Sequence, residues 1–130
     1  MANVPAELRY TREHEWAKVE GDRARVGITA FAQEQLGDVV FVELPKVGAK
    51  VTAMKTFGVV ESVKAVSDLF CPVSGTVTQV NEELVGAPEK INADANTTWI
   101  LKLTLADAAQ VDTLLTAAEY EAFIAEETGH

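Results

Sequence analysis

The sequence predicts a mainly β protein, a barrel or sandwich of short strands accompanied by two helices. Glycines and prolines punctuate residues 21–88 at short intervals, and the segments between them are rich in Val, Ile, Phe and Thr. Such residues are typical of strands, and many short strands separated by close turns favour a barrel or sandwich. With 130 residues, 48% of them hydrophobic, the chain is long enough to form one domain with its own core.

The strands are predicted from local hydrophobic patterns. Arg23–Ile28 alternates, so its apolar residues would share one face of a sheet. Residues 39–44 form a nearly continuous apolar run, which predicts a strand covered on both faces. The remaining predicted strands cover residues 57–63, 66–70, 75–80 and 99–105.

Two helices are predicted, a short one over residues 30–36 and a longer amphipathic one over about residues 107–126. Thr29 is a favourable N-cap for the first helix, and Gly37 is suited to end it. Asp107 with Gln110 resembles a capping box at the start of the second helix, which would end near Gly129. Its apolar face would be formed by Val111, Leu114, Leu115 and Ala118. The chain is interpreted as a single domain over residues 1–130, with a core at about 10–105.

Composition argues against several functions. The chain has 11 Lys and Arg against 20 Asp and Glu, and this net charge of −9 opposes binding to nucleic acid. Cys71 is the single cysteine and cannot close an internal disulfide, and two histidines alone do not make a metal cluster. No apolar run reaches the length of a membrane span. The N-terminal residues have neither secretory nor transit-peptide character, so a cytoplasmic, bacterial protein is expected, although a mature mitochondrial form is compatible with the same sequence.

One lysine has an unusual position in this pattern. Two predicted strands flank Lys64-Ala65, so a tight hairpin would place Lys64 at or beside its tip. A lysine there is accessible to an enzyme that must acylate its ε-amine. Exposed hairpin lysines are most often ordinary surface residues, so the pattern by itself leaves both interpretations open.

The motifs around this lysine resemble a known family. Glu61-Ser62-Val63-Lys64-Ala65, followed by Ser67-Asp68 and Pro72-Val73-Ser74-Gly75, is similar to the lipoyl-attachment hairpin of the glycine cleavage system H-protein family. The resemblance covers nearly the whole chain and implies a biotinyl/lipoyl-type hybrid barrel-sandwich fold. Further matching positions are His14-Glu15-Trp16, Gly27-Ile28-Thr29, Ala32-Gln33, Leu36-Gly37-Asp38-Val39-Val40, Val42-Glu43-Leu44-Pro45, Val47-Gly48, Asn81, Leu84, Pro88, Asn92, Trp99, Leu114-Leu115 and Tyr120.

The resemblance implies a non-catalytic carrier. Lys64 would bear lipoate in amide linkage, as N6-lipoyllysine, and the arm would take the aminomethyl group of glycine from a pyridoxal-phosphate-dependent glycine decarboxylase. The arm would present this group to a tetrahydrofolate-dependent aminomethyltransferase and would then be reoxidised by dihydrolipoyl dehydrogenase. A lipoate ligase or lipoyltransferase would attach the cofactor. Neither a metal, a nucleic acid nor a membrane is implied as a partner.

The resemblance also implies that the loaded arm folds back into a surface cleft. Glu15 is the candidate carboxylate for its cationic nitrogen, although Glu15 and His14 are equally compatible with ordinary polar residues at a strand edge. Trp16 and Trp99 are interpreted as core aromatics. Ala30-Phe31 departs from the family pattern, in which acidic residues or histidines are common at these positions, so no role is carried over to them.

Three alternatives accompany this interpretation. An H-like protein whose lysine only relays lipoate to other proteins has the same hairpin. A biotinyl carrier is indicated by Ala53-Met54-Lys55-Thr56, but Lys64 lies eight residues before Pro72, the spacing of both carrier families, whereas Lys55 lies 17 residues before it. An enzyme with Cys71 as nucleophile is disfavoured because this residue lies in an apolar strand, which predicts a buried structural thiol.

Overall fold

Two antiparallel β-sheets form the body of the protein, whose structure is a computed structural model that describes residues 4–128. The larger sheet has the strand order β1-β2-β3-β9-β8-β5, and the smaller sheet has the order β4-β6-β7. Residues from both sheets form one buried apolar cluster, so the core lies between them. This arrangement confirms the predicted mainly β barrel or sandwich. The strands are β1 (Arg9–Tyr10), β2 (Glu15–Glu20), β3 (Arg23–Ile28), β4 (Val39–Glu43), β5 (Lys50–Val51), β6 (Thr56–Ser62), β7 (Val66–Phe70), β8 (Gly75–Val80) and β9 (Leu101–Leu105).

The predicted strands agree closely with the structure, with one error of burial. β3, β7 and β8 have the predicted bounds, while β1, β2 and β5 are additional strands that the patterns did not predict. The run at 39–44 forms β4, but Val40 and Phe41 are 52% and 47% exposed, so the prediction of a strand covered on both faces was wrong. The pairing of β4 with β6 shifts register between Val39 and Phe41. This bulge leaves two consecutive apolar side chains on the surface.

The first helix, α1 (Ala30–Leu36), is confirmed together with both of its caps. The hydroxyl of Thr29 accepts a hydrogen bond from the amide of Ala32 at 3.1 Å. Gly37 ends the helix with φ of 78°, and its amide donates to the carbonyl of Gln33 at 2.9 Å. A residue with a Cβ is disfavoured at that φ, so glycine sets the direction in which the chain leaves α1. Two short helices, α2 (Glu83–Gly86) and α3 (Lys90–Ala93), lie later in the chain.

The C-terminal helix differs from the prediction of one helix over residues 107–126. A 3-10 helix covers Ala108–Thr113, and α4 covers Ala117–Thr128. Between these two helices Leu115 forms a β-bridge with Tyr10. Because the amide and the carbonyl of Leu115 both bond to Tyr10, they do not take part in helical hydrogen bonds. The capping box lies at the start of α4, where Thr116 and Glu119 exchange side chain to backbone hydrogen bonds. The predicted end near Gly129 lies outside the described residues.

Two details of the predicted capping and packing near this helix also change. Asp107 caps the 3-10 helix by accepting from the amide of Ala109, but Gln110 accepts from the amide of Ser74 instead of completing a box. On α4, Tyr120 is fully buried and stacks on Tyr10 with the ring centroids 4.6 Å apart. This pair belongs to a second apolar cluster that fixes α4 against the larger sheet.

Both tryptophans lie close to this second cluster. Trp16 is 2% exposed, which confirms the prediction of a core aromatic. Trp99 is only half-buried, and the ammonium group of Lys102 lies 4.6 Å from the centre of its ring. Among residues 4–128, no helix is both long and apolar enough to cross a membrane.

Candidate functional site: the lysine hairpin and its cleft

Lys64 lies in the tight turn that joins β6 to β7, as predicted. The amide of Ser62 donates to the carbonyl of Ala65 at 2.8 Å and closes the turn. The hydroxyl of Ser62 accepts from the amides of Lys64 and Ala65 at 3.3 Å and 3.1 Å. Because Ser62 satisfies the turn's backbone donors, no other side chain has to cover the tip, and Lys64 is exposed.

The turn that contains Lys64 is fixed to the loop between α1 and β4. The amide of Val63 donates to the carbonyl of Asp38 at 3.1 Å. Asn92, just after the start of α3, holds this loop from the other side: its side-chain amide donates to the carbonyl of Gly37 at 2.7 Å, and its oxygen accepts from the amide of Val39 at 2.8 Å. These hydrogen bonds set the backbone position of Lys64, while its side chain is exposed.

A cleft of about 430 Å³ opens beside the hairpin. One wall belongs to the hairpin itself, through residues that follow Lys64, and the opposite wall belongs to α1 and the segment before β2. Its apolar lining is formed by Ile28, Phe31, Leu36, Val60 and Leu69. Its acidic lining is formed by Glu13, Glu15, Asp68 and Glu127. Lys and Arg are absent from the lining residues in the part of the chain that the structure describes, so the cleft suits a ligand with an apolar body and a cationic end.

Glu15 is the most deeply placed of these carboxylates, with 1% of its surface exposed. One oxygen accepts from the hydroxyl of Thr11 at 2.6 Å, and the other accepts from the amide of Phe70 at 3.2 Å. Burial raises the pKa of Glu15 from 4.5 to about 8, although both hydrogen bonds act in the opposite direction. The carboxyl group therefore binds a proton near neutral pH unless a cation enters the cleft beside it.

His14 connects the cleft to the C-terminal helix. Its Nδ1 lies 2.9 Å from the hydroxyl of Tyr120, and its Nε2 lies 3.2 Å from the carboxylate of Glu127. The Tyr120 hydroxyl also lies 2.7 Å from the hydroxyl of Thr29, which caps α1. His14 adopts a left-handed backbone with φ of 71°, a conformation that non-glycine residues rarely take. The network joins α4 to α1 and to the segment before β2, which together form one wall of the cleft.

Several residues of the site carried no predicted role. Asp68 was part of the quoted hairpin motif, and its place four residues after Lys64, on the returning strand, is the signal that brings it to the cleft. Phe31, which departs from the family pattern, lines the cleft with its ring centroid 4.9 Å from that of His14. Asn92 matched the family without an assigned function, and the structure shows it clamping the loop under the hairpin.

Neither Cys71 nor Lys55, the candidates of two alternative functions, lines the cleft. Cys71 is fully buried, and burial raises the pKa of its thiol to about 12, so the prediction of a buried structural thiol is confirmed. Lys55 is exposed just before the start of β6, and its carbonyl accepts from the amide of Cys71. Lys64 lies beyond the other end of β6, so the two lysines are about 25 Å apart at the usual rise of a strand. Among the described residues, no group of three or more His, Cys, Asp or Glu side chains is arranged to hold a metal ion.

A two-sheet β fold that presents one lysine on a rigid hairpin beside a cleft is the architecture of the lipoyl-type carrier domains. The model of the family described as "Glycine cleavage H-protein" matches residues 8–127. The chain therefore belongs to the glycine cleavage H-protein family, whose members are the lipoyl carriers of the glycine cleavage system.

Individual relatives agree with this assignment. The glycine cleavage system H protein of Acidobacterium capsulatum is 65% identical over 126 residues, which cover 97% of this chain and 98% of that protein. The protein of the same name from Koribacter versatilis is 58% identical, with the same coverage of both chains. A crystal structure of the H protein from Mycobacterium marinum superposes with a TM-score of 0.81 at 39% identity, covering 98% of this chain and 100% of that one.

Proposed function

We propose that Lys64 carries lipoate as an amide and that this arm shuttles the aminomethyl group of glycine between enzymes, with no catalytic group supplied by the chain. The observation that carries the proposal is the position of Lys64, exposed at the tip of a fixed hairpin beside the cleft. Lipoate supplies the thiols and the redox chemistry, and the protein supplies position and shielding. A tether of this kind also raises the arm's effective concentration at a docked enzyme.

Each step of the proposed cycle requires a partner enzyme. Glycine decarboxylase would load the arm, aminomethyltransferase would unload it, and dihydrolipoyl dehydrogenase would reoxidise it. A lipoate ligase or lipoyltransferase would attach the cofactor to Lys64. The H proteins of Acidobacterium capsulatum and Koribacter versatilis, which this chain resembles, are bacterial. This supports the expectation of a cytoplasmic location.

The cleft would hold the loaded arm between transfers. Its apolar lining fits the hydrocarbon chain and sulfur atoms of the arm, and Glu15 fits the cationic nitrogen at the far end. Ionised Glu15 is unstable when buried alone, so an arriving cation would favour release of its proton. The paired charges would then protect the aminomethyl group from water until the next enzyme withdraws the arm.

The attachment site is tested with protein from cells that have a lipoylation pathway. Intact-mass and peptide analysis should find the lipoyl group on Lys64, and Lys64→Arg should abolish it, because a guanidinium does not form the amide. Lys55→Arg is the matched control, because Lys55 is the lysine of the motif that resembles a biotinyl carrier. An adduct found on Lys55 alone would refute the assignment.

The carrier role is tested by reconstitution with glycine decarboxylase. The lipoylated protein should support exchange of the glycine carboxyl with CO₂, and Lys64→Ala should fold normally while losing this activity. A protein that only relays lipoate would carry the cofactor and yet fail in this reaction. The names of the relatives favour the glycine carrier over the relay.

A further inference from the structure

A row of cations crosses the outer face of the larger sheet, on a protein whose net charge is −9. Lys18 on β2 is the direct partner of Arg25 on β3, and Arg25 is the direct partner of Lys102 on β9. Directly paired residues share a face, and Arg23, two residues from Arg25, shares it as well. At the usual spacing of strands, the row of three spans roughly 10 Å. We call these four residues the basic face.

Few carboxylates neutralise the basic face. A groove of about 350 Å³ runs along it, lined by Arg23, Arg25 and Lys102 with Glu20 as the acid among its lining residues. Glu20 lies 3.7 Å from Arg25 at the surface. A second groove is lined by Lys18 and Arg25, and Glu7 is the acid among its lining residues.

The row costs the fold stability rather than supplying it. Like charges directly opposite each other on neighbouring strands are destabilising, and here two such pairs share Arg25. Two of the cations, Arg25 and Lys102, nevertheless have side-chain partners. Lys102 lies over the ring of Trp99 at 4.6 Å, which orients its ammonium group on the face. An arrangement that opposes folding but fixes several charges together favours a ligand of opposite charge.

The basic face is separate from the lysine hairpin and its cleft. None of its four residues lines the cleft, and Glu15, at the cleft end of β2, belongs to the opposite face of the larger sheet from Lys18. A partner that holds the basic face therefore leaves Lys64 and the cleft open.

We propose that the basic face is a docking surface for a carboxylate-rich surface of a partner protein. This inference rests on the proposed carrier function, in which an enzyme must hold the carrier while the lipoyl arm reaches the enzyme's active site. The cations are spread along an open sheet and remain partly exposed, which fits a broad protein surface better than an enclosed small anion. Charge complementarity of this kind sets the rate and orientation of docking.

The chemistry is tested on the full-length, unlipoylated chain, which separates it from the carrier function. A decaglutamate peptide is titrated at low ionic strength while backbone amide shifts are followed by NMR. We expect shifts that concentrate on β2, β3 and β9 and an affinity at least about tenfold lower for Arg25→Gln/Lys102→Gln. These substitutions remove like-charge repulsion, so the variant should fold. The control is Lys46→Gln/Lys55→Gln, which changes net charge equally at exposed positions outside the larger sheet and should bind as the parent does.

The partner assignment is tested with lipoylated protein and each of the three enzymes of the proposed cycle. For at least one enzyme, Arg25→Gln/Lys102→Gln should raise the KM for the carrier several-fold at low salt with kcat unchanged, and the effect should shrink as salt is added. Equal effects of both double variants, or an unchanged KM with all three enzymes, would overturn the inference while leaving the role of Lys64 intact.

Two further results would assign the basic face differently and so overturn the proposal. Citrate that binds as tightly as the peptide would indicate a small-anion site. Sedimentation showing a dimer that Arg25→Gln/Lys102→Gln dissociates would indicate contact with a second copy of the chain.

Discussion

The buried carboxyl group of Glu15 predicts that the folded protein loses stability as the pH rises through neutrality. Burial raises its pKa from 4.5 to about 8 in the folded state. Between these values the native protein holds a proton that the unfolded chain has released. The free energy of unfolding must therefore fall with increasing pH across this window, and below about pH 4.5 the effect disappears.

The size of this effect follows from the two pKa values. At about 1.4 kcal/mol per pKa unit, the shift from 4.5 to about 8 corresponds to about 5 kcal/mol when the pH exceeds both values. Within the window, the slope for one proton is about 1.4 kcal/mol per pH unit, so about 2–3 kcal/mol should be lost between pH 5.5 and 7.5.

The assay compares the parent and Glu15→Gln by urea unfolding at pH 5.5, 6.5 and 7.5, without lipoate. Glutamine has nearly the same shape but does not ionise, so the variant should lack the contribution of Glu15 to the slope. Glutamine has an acceptor oxygen in place of only one of the two carboxyl oxygens, so one of the bonds from Thr11 and Phe70 is lost, which should cost about 1–2 kcal/mol at every pH. The difference in slope is therefore the readout.

The control is Glu34→Gln, which removes an exposed carboxyl group from α1 and should leave the slope as it is. Glu13 does not serve as a control, because its charge helps to raise the pKa of Glu15. If the parent and Glu15→Gln show the same dependence on pH, then Glu15 does not hold a proton in the folded state. That result would remove the argument that an arriving cation draws this proton away.

Other contacts give predictions of their own. Cys71, being fully buried, should react with a thiol reagent only as fast as the protein unfolds, measured as absorbance with and without urea; rapid reaction would show an accessible thiol. Asn92→Ala removes both bonds to the Gly37 loop and should lower the free energy of unfolding by about 2–3 kcal/mol in urea. Thr116→Ala removes the N-cap of α4 and should cost about 1 kcal/mol in thermal unfolding, whereas Thr116→Ser should cost less.

Local patterns predicted the elements whose structure is determined locally. The cap at Thr29, the glycine at position 37 and the alternation of β3 are properties of neighbouring residues, and each was confirmed. β2 was not predicted because both of its faces are partly covered. Glu15 is polar but buried on the inner face, while Trp16 is buried on the outer one, so the strand does not show simple alternation of polar and apolar residues.

Contacts between distant residues explain the remaining differences. The break between the 3-10 helix and α4 depends on the bridge from Leu115 to Tyr10, and no pattern within residues 107–126 reveals that partner. The cleft likewise joins segments near residues 14, 31, 66 and 127. The exposed lysine was predictable as the tip of a hairpin, but its acylation was indicated only by the resemblance of the surrounding motif.

Lys64 and Glu15 differ in their exposure to solvent, and each exposure suits a different part of the proposed function. In the proposed function an enzyme must reach Lys64, and Ser62 leaves this lysine uncovered by satisfying the turn's backbone donors. In the same proposal Glu15 would shield a cation and must be kept from water, and burying its carboxyl group makes the native state less stable near neutral pH. Loading the arm would return that stability, because the cation allows Glu15 to ionise against a partner. We therefore expect the difference in stability between loaded and unloaded protein to grow as the pH rises from 5.5 to 7.5, and Glu15→Gln to abolish this growth.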